Sequence, residues 1–508
     1  MNAKTLTLLA WIGCMGSVTT LPAVAQVQPL DYKIPAASAS ADPSAPNAAK
    51  IAPKVLKIHP AAEPVPALKI RFWPDRFEMV AGNTFVPFQR ATIMSLEKNR
   101  SAGAEDPFFK NYDQWMEGSL DELPKQEVSK YLDSQQNVLS ELHRAMRMRD
   151  SHYELGIDDL RGLETIQLLL PEFEHMRQLA RLLVLETRLA LAEGRTEDAI
   201  RSIRVGFRMG EATGNASDLL ISRLVGVAIS GIMLNQVEEL MQMQDSPNVY
   251  WALATLPDSI TEMDEALKFE VSIASRVFPG LSHLPADDVE PAVWRSRLTQ
   301  AVKDMQSLGG SEFGNGDAPA RLIAGALMIA LTEPSRAELI ASGMGKEDVQ
   351  AMSPSEAVVR ATAQQITRIQ DDFAKWMFLP EPIRMTYIDR SEASLESNTR
   401  AGSATINLAA MATGMLMPAI KAANQAGLRT RQTIARLATI EAIRGYASAH
   451  GEFPKSLEEL THLPAWPDPL TQQAFGYERE TTTRAKLISE PAYSSDPNAT
   501  IVLELLRQ

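Results

Sequence analysis

Between about residues 69 and 280 the apolar positions recur at helical spacing. Leu179, Leu182, Leu183 and Leu189 share one face, with Arg177, Arg181 and Arg188 on the opposite one. Gly194-Arg195 breaks this run, and Thr196 with Glu197 and Asp198 opens a second helix whose acidic first turn suits the helix dipole. Ala199, Ile203, Gly206 and Phe207 follow, and the small residues at 199 and 206 are expected to admit the preceding helix closely. The pattern predicts an αα-hairpin. Leu219 to Leu234 is apolar nearly all round but interrupted by Arg223. Its uninterrupted part, Leu224 to Leu234, falls short of the about 20 residues that a membrane span needs and reads as a buried core helix. After Asp245-Ser246-Pro247, Asn248 to Leu253 opens a further helix that Leu256-Pro257 closes.

Residues 280 to 320 follow Pro279 and hold Pro285, Pro291 and the run Gly309 to Gly316, a domain boundary or a mobile loop. Helices resume to about residue 427, with an apolar stretch from Leu322 to Leu331. Ala401 to Ala423 is weakly apolar and leads into a helix bearing Ile434, Leu437, Ile440 and Ile443 among Arg429, Arg431, Arg436 and Arg444. Beyond His450-Gly451 come strand-like pieces around Ala474 to Glu478 and Ala485 to Ser489, and Ile501 to Leu506 suits a terminal strand or helix. The expected fold is mostly α: helical hairpins with a small C-terminal α+β module of a long helix and short antiparallel strands.

The N-terminus changes the picture. Lys4 gives a short positive region, Leu6 to Val18 an apolar core, and Ala23-Val24-Ala25 the small residues a signal peptidase accepts, so cleavage is expected before Gln26. This predicts export to the periplasm or beyond, with no stable transmembrane helix in the mature chain. Lipid attachment at Cys14 is disfavoured by bulky Trp11 three positions ahead. Cys14 is the single cysteine, so its removal leaves no disulfide, thiol nucleophile or Cys-based metal site. Residues 26–68 are rich in Pro, Ala and Ser and read as an extended tether or spacer. The expected division is signal peptide 1–25, linker 26–68, helical domain 69–280, helical region with a loop 281–400, and C-terminal module 401–508.

Fifty basic against 63 acidic residues give a net charge of −13, and loss of Lys4 takes the mature chain to about −14. With no basic block, this argues against nucleic-acid binding. Aromatics at 6% and 22 Met favour helices over a β-sandwich.

Motifs for chemistry are missing: no phosphate-cradling Gly-rich loop, no nucleophile elbow, no His-Glu-x-x-His. The histidines, at 59, 143, 152, 175, 283, 450 and 462, include no pair three to five residues apart. His450 reads as a helix-terminal imidazole beside the dipole with Gly451 capping, and Asp468-Pro469 as a turn whose carboxylate accepts backbone N–H groups. Glu238-Glu239, Asp287-Asp288 and Asp371-Asp372 diverge by about 100° if helical and read as solvated faces. Tyr250 and Trp251 read as core beside Leu253, with a ligand groove as the alternative. No catalytic, cofactor-binding or metal-ligating residue is assigned, and no cofactor is expected.

Three stretches resemble known families. The hairpin at 179–207 resembles a tetratricopeptide-type unit at Leu183, Gly194, Ala199, Ile203 and Gly206, but departs from it at Glu186 and Ala190 and has no companion 34 residues away. Gly445 to Pro454 with its Tyr446, His450-Gly451 and Phe453-Pro454, then Leu457, Leu460, Asp468-Pro469 and Phe475-Gly476-Tyr477, resembles the C-terminal part of type II secretion pseudopilins. That resemblance implies a long helix on a small antiparallel sheet and, as in some pseudopilins, calcium near Asp468; no prepilin peptidase site stands before Ala401. The run Pro247 to Leu253 with Leu256-Pro257, the helix ending Ala192-Glu193-Gly194-Arg195, and Asp468-Pro469 resemble exported helical families of planctomycete-type bacteria that carry no assigned activity.

These readings lead to an exported, non-enzymatic helical scaffold with a protein or peptide partner. The alternatives are a secretion-system accessory with a pseudopilin-like module and a hydrolase whose site is assembled from scattered residues.

Overall fold

A computed structural model describes residues 53–506, apart from 103–106, 152, 154–159, 161, 163, 165–169, 283, 286–288, 310–315, 380–382, 384–386, 388–407, 410–417, 492–495 and 497. The expected signal peptide, Cys14, most of the linker, His152, His283 and Asp287-Asp288 lie outside the described residues. The chain is mostly α with a small C-terminal α+β module. Among described residues it divides into two units, one drawing on 53–153, 171–263 and 423–506, the other on 160–170 and 264–422. The boundary therefore falls at 263 rather than 280. The C-terminal module does not stand alone either, since it belongs with the N-terminal half.

The reason begins at β1 (Lys54–Ile58), inside the stretch expected to be linker. Its sequence Lys-Val-Leu-Lys-Ile buries Leu56 and Ile58 on one face and exposes Val55 and Lys57 on the other, the period of a half-buried strand, with Lys54 exposed at its start. The Pro- and Ala-rich neighbours hide this five-residue alternation. A parallel pair, β2 (Val80–Asn83) with β3 (Met148–Asp150), brackets α1 (Phe85–Ala102), α2 (Pro107–Lys110), a π-helical turn (Asp113–Glu117), α3 (Lys125–Ser134) and α4 (Gln136–Met146). Then come α5 (Leu170–Ala192), α6 (Thr196–Gly214), α7 (Leu220–Met241) and the short α8 (Tyr250–Ala254).

The predicted hairpin of α5 and α6 is present, turned by Gly194 at φ +74°. The N–H of Arg195 bonds to the carbonyl of Ala190 at 2.8 Å and that of Gly194 to Leu191 at 3.0 Å, which closes the end of α5. Two local expectations fail. Arg177 and Arg188 are buried, at 3% and 2% exposure, because α5 is covered on both sides. Gly206 faces forward to α7, not back to α5: a Cβ there would lie 2.1 Å from Met233 Sδ. Gly210 and Gly226 complete this contact, a Cβ on Gly226 falling 2.4 Å from the Gly210 carbonyl oxygen. Two helix backbones touch here, and any side chain would part them. Among described residues α7 is the one helix long and apolar enough to cross a membrane by length and composition, with mean hydropathy 1.5; it serves as a buried core helix.

The second unit contains α9 (Asp264–Val277), α10 (Pro291–Gly309), α11 (Asp317–Ala341), α12 (Lys346–Ala351) and α13 (Pro354–Met377). Ser353 caps α13 by accepting the Glu356 N–H at 3.2 Å, and Pro354 occupies the first turn. Leu339, Val349, Ala357 and Ala361 form part of its core.

The chain returns to the first unit along α14 (Pro418–His450). It ends at Gly451, with φ +71° and its N–H on the Ala447 carbonyl at 2.9 Å, as the sequence leads one to expect. Beyond it, β4 (Pro467–Asp468) pairs with β5 (Gln473–Ala474), while β6 (Gly476–Thr481), β7 (Arg484–Ile488) and β8 (Thr500–Leu505) form an antiparallel sheet. β1 adds to β8 in parallel, giving the order β1-β8-β7-β6. A polar seam fastens this arrangement. The side chains of Glu441 and Arg444 are both 0% exposed and 2.6 Å apart. Arg444 also donates to the His59 carbonyl at 2.9 Å and the Ser246 hydroxyl at 2.5 Å. Asn248 bridges the carbonyls of Ala61 and Glu441 at 3.1 and 2.8 Å.

Candidate functional site

The π-helical turn carries Trp115 into a bed of rings. Phe108 meets Tyr112 edge-on at 5.6 Å and stacks on Tyr131 at 6.0 Å, and Tyr131 lies 5.4 Å from Trp115. The extra residue of a π turn rotates the side chains beyond it, a feature common at functional positions. Gly118 ends the turn with its N–H on the Asp113 carbonyl at 3.0 Å. A Cβ there would lie 2.5 Å from the Gln114 carbonyl oxygen, so the residue must be glycine for sterics, its φ of −65° being ordinary. The buried Arg188 of α5 donates to the Gly118 carbonyl and to Glu239 of α7. Burial pushes the Glu239 carboxyl above the usual range, with Arg188 pulling the other way.

Beside this bed opens a cleft of about 870 Å³. Met94, Glu97 and Lys98 of α1 form one wall, Pro107, Asn111 and Trp115 another, and Glu127, Lys130, Tyr131 and Ser134 of α3 with Gln135, Asn137 and Val138 a third. One polar group here is buried and lacks a partner among the described residues. Trp115 is 1% exposed and its Nε1–H meets no acceptor. Gln135, 7% exposed as a whole residue, contributes no buried unmet atom. An unmet buried donor costs about 1–3 kcal/mol, which a ligand or water reaching it recovers. By contrast, Ser134 and Asn111 are bonded to local carbonyls of Tyr131 and Pro107 at 2.6 and 3.0 Å. The rim carries two acids and two lysines, so it has no net charge.

The residues singled out in the sequence gather elsewhere. His143 Nε2 lies 2.9 Å from a Glu186 carboxylate oxygen, which also accepts the Ser202 hydroxyl at 2.6 Å. Glu186, where a tetratricopeptide unit has an apolar residue, is thus a polar tie between helices. Ser202 gives its proton to the carboxylate and has no imidazole base, so this trio lacks the arrangement of a nucleophile. His59 is partly buried, which lowers its basicity, and His450 rests on Tyr446 at 4.1 Å. Exposed His462 pairs with Glu63 at 2.7 Å. Among described residues, no three His, Cys, Asp or Glu gather as a metal site.

Asp468 does make the expected turn, accepting the N–H groups of Leu470 and Glu490 at 2.9 and 3.1 Å. Gln432 Nε2 donates to both its oxygens at 3.1 and 3.0 Å, so N–H donors occupy the carboxylate. Glu238 and Glu239 are not a solvated face: Glu238 is 8% exposed and pairs with Lys54 of β1, and Glu239 holds Arg188. Asp371 and Asp372 do face outwards, and Asp372 pairs with Lys375. Tyr250 is core at 2% exposure, its hydroxyl on the Pro464 carbonyl at 2.7 Å, while Trp251 donates to Glu63.

Comparison with family models, with curated proteins and with solved structures finds no match, so the site is read from its own geometry. Sequence reasoning passed over Trp115. A signal existed: Phe108, Tyr112 and Trp115 stand at i, i+4 and i+7 in a chain with only 6% aromatics. Gln135 carries no such signal, since an isolated glutamine between two helices looks like surface.

Proposed function

We propose that this is an exported, non-enzymatic helical interaction protein whose partner docks in the cleft around Trp115. The observation that carries the reading is a cleft of about 870 Å³ set against an aromatic cluster, with Tyr131 and Trp115 in its wall and the buried Trp115 Nε1–H unmet among the described residues. Such a concave site gains energy from a ligand, and among the described residues its lining holds no histidine, no cysteine and no metal-binding trio. The helical hairpins of α5 and α6 and of α6 and α7 supply the rigid backing that a binding surface needs.

The test compares capture from envelope extracts by the full chain and by its Tyr131→Ala variant, with the thermal melt as a fold control. The reading expects a partner that the full chain retains and the variant loses. Equal retention by a folded variant removes the cleft as the docking surface, and no retention by either removes the interaction role.

A second reading keeps the pseudopilin-like module as a dock for secretion components. It draws support from Phe453, Leu457, Leu460 and Phe475, all buried where α14 hands over to the sheet, and from the Tyr477 hydroxyl on the Pro454 carbonyl at 2.9 Å. Because β1 completes this sheet, a truncation at 401 removes part of the first unit's core and tests nothing cleanly. Charge reversal on the outer strand β6, at Glu478, is the gentler probe, and unchanged secretion in that strain sinks this reading.

A further inference from the structure

We infer that α11 pairs, antiparallel and across its outer face, with the α11 of a second copy of this chain. The inner face of the helix is fixed by Ala320, Ala324, Leu327, Leu331 and Leu339, all buried. On the outside stand Leu322 and Ile329, 64% and 88% exposed. Seven residues return a helix to within about 20° of the same face, so the two share one stripe. Gly325 lies between them, and a Cβ there would meet nothing within 4 Å, which leaves a gap beside two large apolar side chains. Large aliphatic groups joined along one exposed stripe mark a contact surface.

The charges identify what covers it. Asp317 and Arg321 stand at the start of the stripe, Glu333 and Arg336 at its end, and residues 322–332 carry no charge. Laid antiparallel with Ile329 over Gly325 of the second copy, two such helices bring Arg321 level with Glu333 and Asp317 level with Arg336. Two-fold symmetry repeats both pairings at the other end. A parallel pairing in register would set each charge beside its own copy, which repels. Within the helix Arg321 is 3.9 Å from Asp317 and Glu333 is 3.1 Å from Arg336, exposed pairs worth little that leave both side chains able to reach across. A lipid surface suits the stripe less well. Interfacial helices carry Lys and Arg on the polar side, and anionic headgroups would repel Asp317 and Glu333.

Sedimentation velocity on the full chain over a range of concentrations tests this, and a reversible dimer is expected. Ile329→Glu puts a carboxylate from each copy into the apolar seam and is expected to weaken dimerisation at least tenfold. Its thermal melt in dilute solution should not change, because the side chain is exposed; Leu322→Asp is the second variant should it fail to fold. Arg321→Glu sets like charges at both ends and is expected to weaken dimerisation about three- to tenfold. The charge swap Arg321→Glu/Glu333→Arg is expected to restore it, since the antiparallel register pairs these two positions. A chain that stays monomeric at every concentration, or a dimer that the folded Ile329→Glu variant leaves intact, overturns the inference. So does a charge swap that dimerises no better than Arg321→Glu, because another register or another surface then joins the copies. A monomer whose binding to phosphatidylglycerol vesicles is lost in Ile329→Glu overturns it too, and gives the face to lipid.

Discussion

Arg188 donates through its guanidinium to the carbonyl oxygen of Gly118, so a residue 70 positions along the chain holds the end of the turn that carries Trp115. The same guanidinium meets Glu239, and the Arg188 side chain is 2% exposed. Removing Arg188 alone leaves a carboxylate facing the core without its cation and frees a carbonyl. Arg188→Met is therefore expected to cost about 3–5 kcal/mol, the range for breaking a buried pair from one side. The double variant Arg188→Met/Glu239→Leu removes both charges and is expected to recover much of that loss. Urea unfolding of the three proteins checks this; equal loss in the single and double variants contradicts the pairing.

Gly118→Ala tests the turn itself. Its Cβ would stand 2.5 Å from the Gln114 carbonyl oxygen, which belongs to the π-helical backbone and cannot rotate away. The expected cost is about 1–3 kcal/mol, as for other overpacked sites. A change in tryptophan emission should accompany it and disappear in a Trp115→Phe background. An unperturbed spectrum and melt would show that the turn absorbs the methyl group.

The contact between α6 and α7 predicts opposite outcomes for two glycines on one helix. Gly226→Ala forces a methyl group to within 2.4 Å of the Gly210 carbonyl oxygen and must push the helices apart. A Cβ on Gly231 would meet nothing within 4 Å, so alanine there only gains helix propensity. Gly226→Ala should lower the melting temperature, and Gly231→Ala should raise stability by about 0.5–1 kcal/mol. Calorimetry separates the two, and a shift of the same sign in both contradicts this packing.

The helices were legible because their apolar positions repeat over many turns: α7, α8, α14 and the α5–α6 hairpin stand where the pattern put them. The breaks were legible as well, since Gly194 and Gly451 take positive φ at helix ends. What escaped depends on distant partners. β1 is five residues in a Pro/Ala-rich setting, and only pairing with β8, more than 440 positions later, makes it a strand. Arg177 and Arg188 look solvated along one helix, and become core when a second layer covers that face. The cleft was hidden for the same reason, because its walls come from α1, the π-helical turn, α3 and α4, and no local spacing records their convergence.

Asp304 gives the second unit a predictable response to pH. It is 6% exposed on α10; Oδ1 accepts from Gln300 at 2.8 Å, and Oδ2 is buried with no partner among the described residues. Burial raises its pKa above the ordinary 3.8, with Gln300 and Lys303 acting weakly the other way. The folded state therefore binds this proton more tightly than the unfolded chain does. Whatever stability the protonated form contributes is complete below 3.8, and is lost as pH rises through the higher folded value. At neutral pH the ionised group is a burden that an amide lacks. Asp304→Asn keeps the Gln300 contact and is expected to gain on the order of 1 kcal/mol at pH 7. The gain should shrink as pH falls through the raised folded value and vanish below 3.8, where the unfolded carboxyl is protonated as well. Urea midpoints for the two proteins across that range check the sign, and a gain that grows on acidification would place the raised pKa on another group.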